Sequence, residues 1–221
     1  MTESFSAVVP AQGFDKVFPG RNLLPFNGGS LLTEKIRVLQ KSNIFDAVIV
    51  STEDDNIAKI AKEMGAQVHY RSTKSAESAM PFNDLVVSVS ESLEYDHLAW
   101  CPVTAPLIST QDFVLARQKY FSALSEGYDS LITGIKEKRY LLDDSGPLSF
   151  RFDIQKRNRD SLPLLYEFVN AISIAPRTCQ LEWGYNWGHR PFILELPKER
   201  SMVICNESDY RLAKYMSGYS A

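Results

Sequence analysis

The chain has 221 residues, 44% hydrophobic, 11% aromatic and 23% charged. That composition is ordinary for a globular protein and excludes a disordered tail, a coiled coil or a collagen-like repeat. A net charge of −3, from 24 Lys+Arg against 27 Asp+Glu, speaks against a general nucleic-acid binder, which needs a basic excess.

Ser6–Val9 has the apolar run of a buried strand and stops at Pro10. A long loop bearing Gly and Pro follows, up to about Phe26. Leu32, Ile36 and Leu39 recur at helical spacing, and Ala47–Val50 is a β-branched strand. Ile57, Ile60 and Ala61 mark a helix that stops at Gly65, where glycine suits a C-terminal cap. Ahead of it, Glu53-Asp54-Asp55 reads as a group of carboxylates stabilising the helix N-terminus. Gln67–Tyr70 is the next strand, Leu85, Val86, Val89 and Leu93 the next helical stripe, and His97–Cys101 a further strand. Phe113, Ala116, Tyr120 and Leu124 give another helix, and Ser130–Thr133 closes the run. This alternation predicts an α/β fold of three layers, a mostly parallel sheet with helices on both faces.

From about 138 to 195 the rhythm breaks. Ala171–Ile174 and Phe192–Glu195 are strand-like and predict an excursion from a single domain spanning 1–221, packed over the sheet or onto a second subunit. Asn206 can cap a last helix that carries Tyr210, Ala213 and Met216.

Cys101, Cys179 and Cys205 lack the C-x-x-C spacing of a zinc or redox site and the density of a disulfide scaffold. Cys101 and Cys205 read as buried, inert thiols. His69, His97 and His189 have no ligand spacing. Met1–Phe5 shows no basic region, and no stretch approaches the ~20 apolar residues of a membrane span. A soluble cytoplasmic protein is expected, with no membrane and no nucleic acid as partner.

In an open parallel sheet the loop after the first strand is the first place to look for a ligand. Pro10-Ala11-Gln12-Gly13-Phe14-Asp15-Lys16-Val17-Phe18-Pro19-Gly20-Arg21-Asn22 is neither a Walker A loop nor a dinucleotide fingerprint. Gly13 permits close approach of backbone N–H groups to anionic oxygens. Lys16 and Arg21 supply charge for a polyphosphate, and Asn22 can bond a base edge. A surface loop with two solvated cations is the alternative reading of the same residues.

The segment from Val9-Pro10-Ala11-Gln12-Gly13 through Lys16 to Pro19-Gly20-Arg21-Asn22-Leu23 resembles the opening of the acylneuraminate cytidylyltransferases, I-P-A-R-G-G-S-K-x-I-P-x-K-N-L. Ser51-Thr52-Glu53-Asp54, Arg71, Thr104-Ala105-Pro106-Leu107, Asn170-Ala171-Ile172 and Asp209–Ala213 follow in the same order. The resemblance implies a Rossmann-like nucleotidyltransferase fold, a homodimer, and an enzyme joining CTP to a nine- or eight-carbon keto acid sugar, with CMP-sugar and pyrophosphate as products. It implies a nucleotide site of Ala11, Gln12, Gly13, Lys16, Arg21, Asn22 and Arg71, with Lys16 and Arg21 as the catalytic cations. Thr104 would lie at the junction with the sugar and Arg159 would meet the sugar carboxylate.

The departures bear on mechanism. Gln12 stands where the family has an Arg, Phe14-Asp15 where it has G-S, Ser78 where it has an Asp, and Pro102 where it has a Gln. The positions of two Mg2+-binding aspartates hold Val203 and Cys205, and Mg2+ needs hard oxygen ligands. Asp15, Glu207 or Asp209 would have to substitute, and Asp209 is expected to cap the last helix. The same departures fit a nucleotide-binding homologue without turnover, and a different sugar or phosphonate substrate is a further alternative. The aromatic run Trp183–Phe192 is expected to form a dimer arm or a lid on the sugar site.

Overall fold

In the computed structural model, which describes residues 3–71, 80–151 and 159–218, β1 (Phe5–Pro10) lies inside the main sheet, paired on both edges. After it come β2 (Pro25–Phe26), β3 (Gly29–Ser30), α1 (Leu31–Ser42), β4 (Ala47–Thr52), α2 (Asp55–Glu63) and β5 (Gln67–Tyr70). Next are α3 (Phe82–Ser92), β6 (His97–Trp100), α4 (Thr110–Ser125) and β7 (Ser130–Glu137). The chain then forms β8 (Leu142–Asp143), β9 (Gly146–Pro147), β10 (Leu165–Pro176), α5 (Arg177–Trp183), β11 (Pro191–Glu195) and α6 (Glu207–Ser217).

One seven-stranded sheet runs in the order β11-β7-β10-β6-β1-β4-β5. All its pairings are parallel except those of β10, which is antiparallel to both β6 and β7. Side chains alternate across β1: Phe5, Ala7 and Val9 join one buried cluster, and Val8 joins a second, as a period of two requires. The first cluster takes Leu32, Ile36 and Leu39 of α1, Ile57 and Ala61 of α2, Phe113 and Ala116 of α4, and Ala213 of α6. The second takes Leu85, Val86 and Val89 of α3, with Leu98 and Trp100. Helices therefore cover both faces, as the alternation predicts.

Helix ends follow the sequence closely. Ser30 with Thr33, Ser109 with Asp112, and Asn206 with Asp209 form capping boxes. Asp54 accepts the Ile57 N–H at the start of α2. That helix ends at Gly65 (φ +77°), where the N–H groups of Ala66 and Gly65 return to the carbonyls of Ala61 and Lys62, a Schellman closure that needs a left-handed residue.

The segment 138–195 differs from expectation, because both of its strand-like pieces belong to the central sheet. Val169 and Ala171–Ala175 of β10 are buried, but Tyr166, Glu167 and Phe168 are exposed. The outer half therefore carries the polar and aromatic composition of an excursion. The β8–β9 hairpin, a 3-10 turn at Arg159–Ser161 and α5 are the elements of this segment outside that sheet among the described residues. Register shifts between Val169 and Ser173. Thr133 Oγ1 stitches this bulge, donating to the Val169 carbonyl at 2.7 Å and accepting the Ile172 N–H at 3.0 Å. Ser78, Lys156 and Arg157 lie outside the described residues. No helix among the described residues is long and apolar enough to cross a membrane.

Fully buried Gln180 joins three elements. Its Oε1 accepts the Trp100 Nε1–H at 2.6 Å, and its Nε2 donates to the Leu98 and Ala175 carbonyls at 2.9 and 3.0 Å. Replacing it with an alkyl chain strands a buried donor and two acceptors. Gln180→Leu is expected to lower unfolding free energy by about 3 kcal/mol, measured by urea denaturation.

Candidate functional site

Strand order reverses at β1, since the chain steps outward to β4 and β5 and returns to β6 on the other side. Beyond the carboxyl ends of these strands, where open α/β sheets hold ligands, lies a cavity of about 250 Å3. Gln12, Arg21, Asn22, Arg71 and Thr104 line it together, so five predicted site residues from three separate loops converge.

Ala11, Gly13 and Lys16 do not line that cavity. Ala11 is buried and gives its N–H to the Ser51 carbonyl at 2.9 Å. Gly13 donates its N–H to Glu53 Oε1 at 2.7 Å. A Cβ on Gly13 would sit 2.4 Å from Asp54 Oδ2, so close packing against the α2 cap makes glycine necessary there. Lys16 is exposed, with no partner among the described residues. Arg159 opens its 3-10 turn, and its side chain lies outside the described part.

The two guanidinium groups of the cleft already have partners. Arg21 Nη2 lies 2.7 Å from Asp15 Oδ2, and Nη1 donates to the Ile204 carbonyl at 3.1 Å. Asp15 also accepts the Val17 and Phe18 N–H groups through Oδ1, which shapes the loop. Arg71 donates to the Ser51 hydroxyl and carbonyl at 3.1 and 2.8 Å, with Glu53 Oε2 at 3.5 Å. Asn22, buried, donates to the Gln12 carbonyl at 2.7 Å. Of the acidic run at 53–55, Asp54 caps α2 and Asp55 sits in its first turn, as expected. Glu53 instead turns toward the loop after β1.

The bulge in β10 brings Asn170 into the cavity, beside Met80 and Phe82. Asn170 was visible only as part of a matching triplet, and nothing local in the sequence marks Phe82. Both also line an adjoining cavity of about 320 Å3, walled by Phe168, Tyr185 and Trp187. Two of its lining residues each carry a buried polar atom without a hydrogen-bond partner among the described residues, Asn186 Oδ1 and Trp187 Nε1.

The described residues near the cleft do not fit Mg2+. No group of three or more His, Cys, Asp or Glu side chains suited to a metal occurs among the described residues. Val203 has no donor atom. Cys205 is exposed, a correction to the buried thiol expected, because buried Ile204 turns its neighbour outward. Asp209 accepts the Cys205 and Asn206 N–H groups in its capping box, Glu207 pairs with Arg211, and Asp15 is held by Arg21. Cys101 is buried as predicted, its thiol pushed up to about 12 by desolvation.

Behind the cleft, Lys35 of α1 is buried and donates to the Ala105 carbonyl at 2.8 Å, anchoring the turn that carries Thr104. The Ile204 N–H donates to the Thr104 carbonyl at 2.8 Å.

A family model described as cytidylyltransferase matches residues 7–159. The pseudaminic acid cytidylyltransferase of Campylobacter jejuni subsp. jejuni serotype O:2 is 23% identical over 222 residues, covering 95% of this chain and 94% of that protein. The N-acylneuraminate cytidylyltransferase of Escherichia coli O18:K1:H7 is 26% identical over 220 residues, covering 96% of this chain and 52% of that one. Among solved structures, CMP:2-keto-3-deoxy-manno-octonic acid synthetase complexed with CTP superposes with a TM-score of 0.73 at 13% identity, over 99% of this chain and 100% of that one. At that identity the likeness is one of fold.

Burial lowers the Lys35 pKa from 10.5 to about 8. The unfolded chain therefore holds a proton that the folded one has lost between pH 8 and 10.5, and stability rises with pH in that window. Relative to a Lys35→Met variant, the wild type is expected to gain stability from pH 8 to 10.5, read from paired denaturant titrations.

Proposed function

The chain belongs to the cytidylyltransferase family, and from that premise we propose that it joins CTP to a sialic-acid-like keto acid sugar, giving CMP-sugar and pyrophosphate. The observation that carries this reading is the shared cavity at the strand switch, where Arg21, Arg71, Asn22 and Thr104 face one space. The named relatives that act on pseudaminic and N-acylneuraminic acids support the choice of acceptor.

The acceptor hydroxyl attacks the α-phosphorus, the bond to the α–β bridging oxygen breaks, pyrophosphate leaves, and the hydroxyl proton passes to solvent. Catalysis of this kind rests on alignment and on neutralising charge in the transition state. Arg21 and Arg71 supply that charge in the cleft, and Lys16 supplies it from the outside of the loop. With its amide nitrogen held by the Gln12 carbonyl, the orientation of Asn22 is fixed and its carbonyl oxygen is left to accept from the 4-amino group of cytosine.

The acceptor occupies the adjoining aromatic cavity. Asn186 Oδ1 and Trp187 Nε1, an acceptor and a donor left without partners, suit a ligand bearing hydroxyl or amide groups, since unpaired buried polar atoms are costly. Arg159 meets its carboxylate. A second copy of the chain covers the exposed Leu142, Leu148, Leu164 and Tyr166, a homodimer that sedimentation velocity detects. Val203 and Cys205, which bring no carboxylate to the cleft, favour one other reading, a homologue that binds the nucleotide without turnover.

Calorimetry with the four ribonucleoside triphosphates, followed by pyrophosphate release with a panel of keto acid sugars, separates these readings. CTP binding with pyrophosphate release is expected, and Trp187→Ala should raise the acceptor KM about tenfold while leaving CTP affinity within twofold. Binding without release across the panel supports the inactive homologue, and absence of triphosphate binding sinks both. Asp15→Asn keeps the turn acceptor but removes the charge competing for Arg21. It is expected to tighten CTP binding several-fold, by about 1 kcal/mol, in the same calorimetry.

A further inference from the structure

We infer that His69 is a positioning residue which, through the Ser51 hydroxyl, fixes the orientation of the Arg71 guanidinium in the cleft. The inference rests on the reading that Arg71 meets the nucleotide.

Arg71 follows the end of β5, and its N–H donates to the Thr52 carbonyl at 3.0 Å. Its side chain is 7% exposed yet lines the cavity, so the guanidinium has little room and a defined set of contacts. His69, two residues earlier, points to the same side of β5 and is 9% exposed. It is not part of the cavity wall. Ser51, paired with His69 across β4 and β5, stands between the two. Its Oγ lies 3.1 Å from Arg71 Nε and 2.9 Å from His69 Nδ1.

The proton positions follow from the chemistry of the groups. A guanidinium N–H can only donate, so the Ser51 oxygen accepts from Arg71. The single hydroxyl hydrogen is assigned to His69 Nδ1 as the unprotonated nitrogen, the tautomer in which the hydroxyl and both ring nitrogens have partners. Nε2 carries the ring hydrogen and faces the Ser88 Oγ of α3 at 3.5 Å. Burial and then the Arg71 cation lower the His69 pKa, which keeps the ring neutral and able to accept.

Without an acceptor at Nδ1, the Ser51 hydroxyl is free to rotate and to turn its hydrogen toward Arg71. The guanidinium would then hold its place only through the Ser51 carbonyl and Glu53. The relay thus makes an orienting hydrogen bond out of a serine that could otherwise turn either way.

CTP affinity measured by calorimetry in a double-mutant cycle tests this. His69→Leu and Ser51→Ala are each expected to weaken CTP binding about tenfold, the loss of one charge-assisted hydrogen bond. His69→Asn, which offers an oxygen near the Nδ1 position, should recover most of the affinity lost in His69→Leu. In an Arg71→Ala background, His69→Leu should cause no further loss, whereas a role in general packing would persist there. Ser51→Ala serves in the same cycle if His69→Leu does not fold. Weakened binding in Arg71→Ala with unaltered binding in His69→Leu overturns this inference alone. Unaltered CTP binding in Arg71→Ala overturns both the inference and the placement of the nucleotide.

Discussion

Asp15 and Glu53 occupy the donors of this cleft from within the protein. Asp15 pairs with Arg21, and Glu53 takes the Gly13 N–H while facing Arg71. A guanidinium buried without a counter-charge is destabilising by several kcal/mol, so these carboxylates let the loop hold its shape before any ligand arrives. The same contacts define the cost of binding an anion. In the proposed reading a phosphate oxygen replaces a carboxylate oxygen on Arg21 or Arg71, and affinity is the difference between two ion pairs. Lys16, exposed on the same loop, has no such exchange to make.

Glu53 ties the loop after β1 to the ends of β4 and β5. Three residues in succession do three jobs: Glu53 faces the loop, Asp54 caps α2, and Asp55 lies in its first turn. Gly13 packs against Asp54 with no space for a Cβ. A glycine in a loop of this kind suggests backbone approach to a ligand, but here it serves approach of backbone to the side chains of Glu53 and Asp54. Shaping the loop is the prior requirement, and ligand geometry follows from it.

The main-sheet strands and the helices of the first 137 residues were legible because their periodicity is forced by burial, whereas the short β2–β3 pair was not read. β1, β4 and β6 are covered on both faces, and α1, α3 and α4 each on one. Residues Leu165–Phe168 of β10 gave no such signal, since that half of the strand is paired on one edge yet exposed on a face. Of the site, the cations and amides on loops after strands could be read: Gln12, Arg21, Asn22, Arg71 and Thr104 do line one cavity. What could not be read depends on register or on long-range packing. The bulge that aims Asn170 is closed by Thr133, 37 positions away in sequence by subtraction (170 − 133). Cys205 is exposed only because Ile204 takes the inward position.

The segment 203–205 is held against the cleft through its backbone and carries no carboxylate. Arg21 reaches the Ile204 carbonyl, Ile204 reaches the Thr104 carbonyl, and Asp209 takes the Cys205 N–H. All three contacts run through the backbone of this segment, so side chains at 203 and 205 can change without moving it against the cleft. A thiol and an isopropyl group add no negative charge near Arg21, and the local field at the loop is correspondingly more positive than two aspartates would leave it. Under the proposed reaction, charge neutralisation at the transferring phosphoryl group falls to guanidinium groups, whose orientation is a matter of hydrogen bonding. That places unusual weight on the contacts that aim Arg21 and Arg71, and it is why the buried polar atoms behind them matter as much as the cations themselves.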